Sequence, residues 1–162
     1  MELNEYQEKI IRSIDSMRDL LIDVSHQIHA NPELSDQEYF ATELLQNTLK
    51  NHGFEVEGGF AGIPTAFRAR RGAGNGPIVA FLCEYDALAG IGHGCGHNVI
   101  GTTSLAAGLG LASVIDSFPG EVWVVGTPSE EVRGAKVEMV RQGVFKDVDA
   151  ALKIAPKCVF IL

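Results

Sequence analysis

Two stretches of this chain are unbroken runs of apolar side chains, and both lead into carboxylates. Ile78-Val79-Ala80-Phe81-Leu82-Cys83 runs straight into Glu84-Tyr85-Asp86, and Val122-Trp123-Val124-Val125 continues through Gly126-Thr127-Pro128-Ser129 to Glu130-Glu131. Apolar runs that do not alternate with polar residues are the pattern of strands covered on both faces, and such strands occur where a sheet carries helices on each side. A three-layer α/β/α architecture is therefore expected. Its polar clusters should sit just beyond the ends of central strands, where ligands bind in sheets of this kind.

The rest of the chain supplies the layers. From Asn4 to His29 the residues Ile10, Ile11, Ile14, Met17, Leu20, Leu21, Val24 and Ile28 recur at three- and four-residue steps, which predicts one helix with one buried face. Asn31-Pro32-Glu33 breaks it, and Ser35 with Glu38 has the form of a capping box opening a second helix, which Gly53 would close. Phe54 to Glu57 and Thr65 to Arg70 alternate as half-exposed strands, a short helix is expected over Ala135 to Gln142, and a further strand over Val148 to Ile154. With 162 residues, 46% of them hydrophobic and 21% charged, one compact domain with a real core is expected.

Charge narrows the partners. A formal net charge of -8 repels phosphate backbones and anionic lipid, so neither nucleic acid nor a membrane surface is an expected partner. The uncharged run from Val99 to Ile115 holds three glycines and four Ser or Thr residues and reads as a buried helix of a sheet protein, not a membrane span. The acidic N-terminus lacks the basic and apolar segments of a secretory signal, which points to the cytoplasm. Three widely spaced cysteines, Cys83, Cys95 and Cys158, do not form a disulfide framework.

The chemistry concentrates in three clusters. In His93-Gly94-Cys95-Gly96-His97-Asn98 a thiol and an imidazole two residues apart in an extended loop point to one side and can close on a transition metal. Glu130 and Glu131 follow a buried strand; as neighbours at a strand end they point in opposite directions, so one can ligate a metal while the other faces its water. Asp86 can orient a ligand from behind. Each cluster also has a plain reading: an incidental Cys near a His, a solvated Glu-Glu turn, a carboxylate capping a loop. The glycine loop fails as a nucleotide cradle, since His97 stands where the last glycine of the dinucleotide fingerprint belongs and no lysine follows Gly96 to Gly101. A Cys95 nucleophile with His93 or His97 as base is a further alternative.

Taken in order, Glu84-Tyr85-Asp86-Ala87-Leu88, His93 to Asn98, and Gly126-Thr127-Pro128-Ser129-Glu130-Glu131 resemble the metal-site motifs of peptidase family M-twenty, in its branch of p-aminobenzoyl-glutamate hydrolase and related dipeptidases. The resemblance implies a zinc-aminopeptidase-like α/β/α catalytic domain with a smaller inserted dimerisation domain, and a homodimer in the full-length family. It makes Cys95, His97 and Glu131 ligands of a divalent metal, zinc or manganese. It makes Glu130 the general base and puts Asp86 beneath the metal, both counted here as catalytic. Glu84 stands where many relatives carry a histidine ligand or another acid. The implied reaction is metal-dependent hydrolysis of the amide bond of an N-acyl amino acid or dipeptide.

Residues 1–152 are expected to form the N-terminal part of that catalytic domain, and residues 153–162 a divergent tail, with Ala155-Pro156 where relatives carry His-Pro. Ala89 replaces a proline usual in the family, and Asn98 replaces the aspartate of hippurate-type relatives. A truncated chain without the dimerisation domain is expected, its apolar Val159 to Leu162 left uncovered, with weak metal binding and little hydrolysis by itself. The competing expectation is a non-catalytic remnant or partner subunit that keeps the fold.

Overall fold

The computed structural model describes residues 3–154. Ala155, Pro156 and the Val159 to Leu162 run lie outside the described residues.

Five strands form one mixed sheet: β1 Glu55–Gly58, β2 Phe67–Gly72, β3 Ile78–Cys83, β4 Glu121–Gly126 and β5 Ala150–Leu152, in the order β1-β2-β4-β3-β5. The β1/β2 and β2/β4 pairs are antiparallel, and β3 runs parallel to both β4 and β5. Cys83 stands opposite Gly126 across the β3/β4 pair, so the two apolar strands end at the same level. Both acidic clusters therefore leave the sheet at one edge, side by side.

Strand alternation divides β4 between two cores. Val122 and Val124 pack with Leu21, Val24, Leu45, Leu105 and Leu109 on one face, while Trp123 and Val125 pack with Phe60, Ile63, Ala135 and Met139 on the other. The first face carries four helices: α1 Glu5–Ser16, α2 Arg18–Ala30, α3 Tyr39–Asn51 and α4 His97–Ala112. Among the described residues the second is covered by α5, Ala135–Arg141, by the short Phe60–Gly62 turn with Ile63, and by Val144, Phe145 and Val148 after α5. β4 is accordingly buried from Val122 onward, whereas Ile78, Val79, Phe81 and Leu82 of β3 stay half-buried.

α4 is the uncharged Val99 run, and most of it is buried because it lies between the sheet and the α1–α2 layer, with Val99 left exposed. Glycine permits the close approach: a Cβ on Gly101 would stand 2.7 Å from the Glu84 carbonyl oxygen. No helix among the described residues is long and apolar enough to cross a membrane.

The N-terminal helix is not one helix. It breaks at Met17, where the last turn tightens: Met17 N–H bonds to the Ile14 carbonyl at 3.0 Å and Ser16 Oγ takes up the Ser13 carbonyl. Only Leu21, Val24 and Ile28, all on α2, are buried; Ile11 and Leu20 are exposed. The capping box is also elsewhere. Asn4 and Gln7 form one at the start of α1, whereas α3 is capped by Glu33, whose carboxylate accepts from the Phe40 and Ala41 N–H groups at 2.9 Å each. Ser35 and Glu38 turn inward instead.

Candidate metal centre

The expected convergence occurs, by a different local geometry. Cys95 and His97 do not lie in an extended loop: Cys95 is in a turn, Gly96 adopts φ 78°, and His97 begins α4. The left-handed glycine reverses the backbone so that thiol and imidazole still meet. Glu130 and Glu131 likewise sit in a turn after β4, not at the strand end, and Ser129 before them has φ 58°.

Cys95, His97 and Glu131 each offer one ligand atom, and the three atoms lie within 4.8 Å of one another. His97 is buried at the centre. Its Nδ1 stands 2.9 Å from both the carbonyl and Oδ1 of Asp86, two acceptors, so the ring proton belongs on Nδ1 and the Nε2 lone pair faces outward. That nitrogen is 3.6 Å from Glu131 Oε1 and 3.6 Å from Glu84 Oε2. A thiol, an imidazole lone pair and a carboxylate converging among further carboxylates form a donor set that a transition metal fits.

Asp86 is the keystone behind His97 and does not face the donor cluster itself. Its Oδ2 accepts from Ser35 Oγ at 2.8 Å and from the Glu131 N–H at 3.0 Å, while Oδ1 takes His97. One carboxylate thus orients two of the three donors. Burial would raise its pKa, but the hydrogen bonds from His97, Glu131 and Ser35 outweigh burial and hold it at about 2. For His97 burial opposes protonation, and the Asp86 carboxylate prevails and raises the pKa. Burial, with the charges of Glu131 and Asp86, pushes the Cys95 thiol up to about 11. A thiol so placed is no activated nucleophile, whereas a bound cation would favour its thiolate.

Glu130 is half-buried and makes no hydrogen bond or ion pair among the described residues. Asn98 is drawn away to Ser25, with Nδ2 3.1 Å from its Oγ. Two lysines beside Glu84 escaped sequence reasoning. Glu84 is fully buried, and its Oε1 is paired with both Lys136, from α5, and Lys153, at 2.8 Å from the latter. Lys153, assigned from sequence to a divergent tail, is thus part of the site's surroundings. Nothing local marks either lysine, because their partner is more than fifty residues away in sequence.

No family model matches the sequence. A p-aminobenzoyl-glutamate hydrolase chain of Escherichia coli is 37% identical over 174 residues, covering 96% of this chain and 36% of the relative. The Xaa-Arg dipeptidase of Mus musculus is 36% identical over 169 residues, covering 96% of this chain and 39% of its own length. A Bacillus subtilis protein whose structure is described as a dinuclear metal-binding peptidase of the M-twenty family matches with a TM-score of 0.75 at 25% identity, over 85% of this chain and 42% of that one. The chain belongs to peptidase family M-twenty. As an M-twenty chain it spans well under half the length of the curated relatives it matches. Its α/β fold and mixed five-stranded sheet are those of the family's catalytic domain.

Proposed function

We propose that residues 1–152 form part of the catalytic domain of a metal-dependent amidohydrolase, acting on the amide bond of an N-acyl amino acid or a dipeptide. The observation that carries this reading is the convergence of Cys95, His97 and Glu131 within 4.8 Å at the shared end of β3 and β4. The relatives support the substrate class, since one is named for p-aminobenzoyl-glutamate and the other for Xaa-Arg dipeptides. A divalent metal held by the three donors would polarise the amide carbonyl and acidify water. Glu130, next in the chain to one donor and without a partner of its own among the described residues, takes the proton from the attacking water and returns it to the leaving amine. Asp86 keeps the His97 tautomer and the Glu131 backbone in place while this happens.

Zinc suits the thiolate and imidazole best, and manganese is the alternative that the carboxylate admits. We place the protein in the cytoplasm, whose reducing conditions keep a thiol such as Cys95 available to a metal. The deciding experiment is metal content of the purified chain beside Cys95→Ser and Glu131→Gln, with zinc and manganese each supplied. Stoichiometric metal in the parent, lost in both variants, is the expected result; a parent that takes up neither metal would refute the reading.

A further inference from the structure

The segment between α2 and α3 reaches across to the Glu130–Glu131 turn at several points. The Glu33 carbonyl accepts from the Ala87 N–H at 2.8 Å, beside Asp86. Ser35 Oγ donates to Asp86, the Asp36 carboxylate accepts from the Arg133 guanidinium with Nε at 3.2 Å, and Glu38 accepts from the Ser129 N–H at 2.8 Å. Glu38 is wholly buried, its other oxygen accepts from Thr65 Oγ1 at 2.9 Å, and it forms no ion pair among the described residues. Burial raises its pKa, against the hydrogen bonds that lower it. An ionisable group without a cation is costly to bury, and Glu38 is held both by its own backbone and by Thr65 and Ser129, which lie far along the chain.

What Glu38 holds is the residue at the entry to the glutamate pair. Ser129 immediately precedes Glu130 and takes a left-handed backbone, φ 58°, which disfavours any residue with a Cβ unless its surroundings enforce it. Its carbonyl closes the turn by accepting from the Arg133 and Gly134 N–H groups. Entry to the turn is thus secured by Glu38, and Glu131 itself by Asp86. We propose that Glu38 is a positioning residue that enforces the Ser129 conformation and thereby aims Glu130 and Glu131. Its geometry stands alone, and its consequence for catalysis rests on the hydrolase reading above.

Two measurements on the 162-residue chain test this. In the metal-free protein, Glu38→Ala is expected to speed amide exchange at Ser129, Glu131 and Arg133 at least about tenfold while leaving Val122 to Val125 of β4 unchanged. Glu38→Gln keeps the packing and one neutral acceptor, and should give a smaller acceleration at the same amides, which keeps the test decisive if the alanine variant does not fold. Unchanged protection at Ser129, or acceleration spread equally over β4, would overturn the proposal. In the second measurement cobalt(II) affinity is compared for Glu38→Ala, Glu131→Gln and the double variant. Both single variants should bind about tenfold more weakly or worse, and the double no more weakly than Glu131→Gln alone, because Glu38 acts through that turn. Additive losses would overturn it. A parent that binds no cobalt would instead refute the metal-centre reading, and the exchange result would then decide the role of Glu38 by itself.

Discussion

Replacing Asp86 by asparagine keeps the side chain's size and removes its charge, which isolates the electrostatic part of the keystone. The folded chain holds Asp86 at about 2 against an ordinary 3.8. At about 1.4 kcal/mol for each tenfold step in acidity, that gap is worth about 2 kcal/mol of stability. Because the folded value is depressed, the contribution is complete above pH ~4 and is lost as pH falls toward 2. His97 works in the opposite sense: its raised pKa makes the pairing fully stabilising below the ordinary histidine range and weaker as pH climbs past its folded value. At pH 6 both are present. Urea unfolding of the metal-free parent and Asp86→Asn should therefore differ by about 2 kcal/mol at pH 6 and by only about 1 kcal/mol at pH 3. A penalty that stays the same between those pH values would show that Asp86 matters through shape and neutral hydrogen bonding, and the electrostatic account would be wrong.

Gly101→Val would drive a branched side chain toward the Glu84 carbonyl, 2.7 Å from the new Cβ, so α4 must shift off β3; a loss of about 2 to 3 kcal/mol in chemical unfolding is expected. Glu33→Ala leaves two N–H groups at the start of α3 without their cap and should cost about 1 kcal/mol in the same assay, with metal affinity little changed. Removing both cations from Glu84, by Lys136→Met with Lys153→Met, leaves a fully buried carboxyl group without its charged partners, for which about 3 to 5 kcal/mol of destabilisation in chemical unfolding is expected. A double variant as stable as the parent would show that the two ion pairs contribute nothing net to the fold.

The layered fold was legible because burial on two faces leaves a mark in the sequence: β4 has no polar residue from Val122 to Val125, and α4 no Asp, Glu, Lys or Arg. The three donors were legible as motifs in order. Their local geometry was not, since an extended Cys-x-His loop and one reversed by a left-handed Gly96 share the same letters. Ser35 and Glu38 misled for a related reason. A hydroxyl three residues before a glutamate is the mark of a local cap, and the same pair can equally reach partners more than fifty residues away; only tertiary packing decides. The break at Met17 lies in the backbone turn at Ile14 to Met17, and the three- and four-residue spacing of the apolar side chains runs through it unchanged.

The lysine that follows β5 has a consequence for the edge of the sheet. β5 pairs with β3 over three residues only, Ala150 to Leu152 against Val79 to Phe81, and all three are exposed. So short a ladder, with no buried side chain of its own, specifies its alignment poorly. Asp149 ties the start of the strand to Ile78, its N–H bonding the Ile78 carbonyl at 3.0 Å and its Oδ2 accepting from the Ile78 N–H at 2.8 Å, and Lys153 ties the other end. A slip of one residue would turn its ammonium to the opposite side of the sheet and leave Glu84 with Lys136 alone, so the buried charge acts as a registration mark by which the outermost strand finds its place.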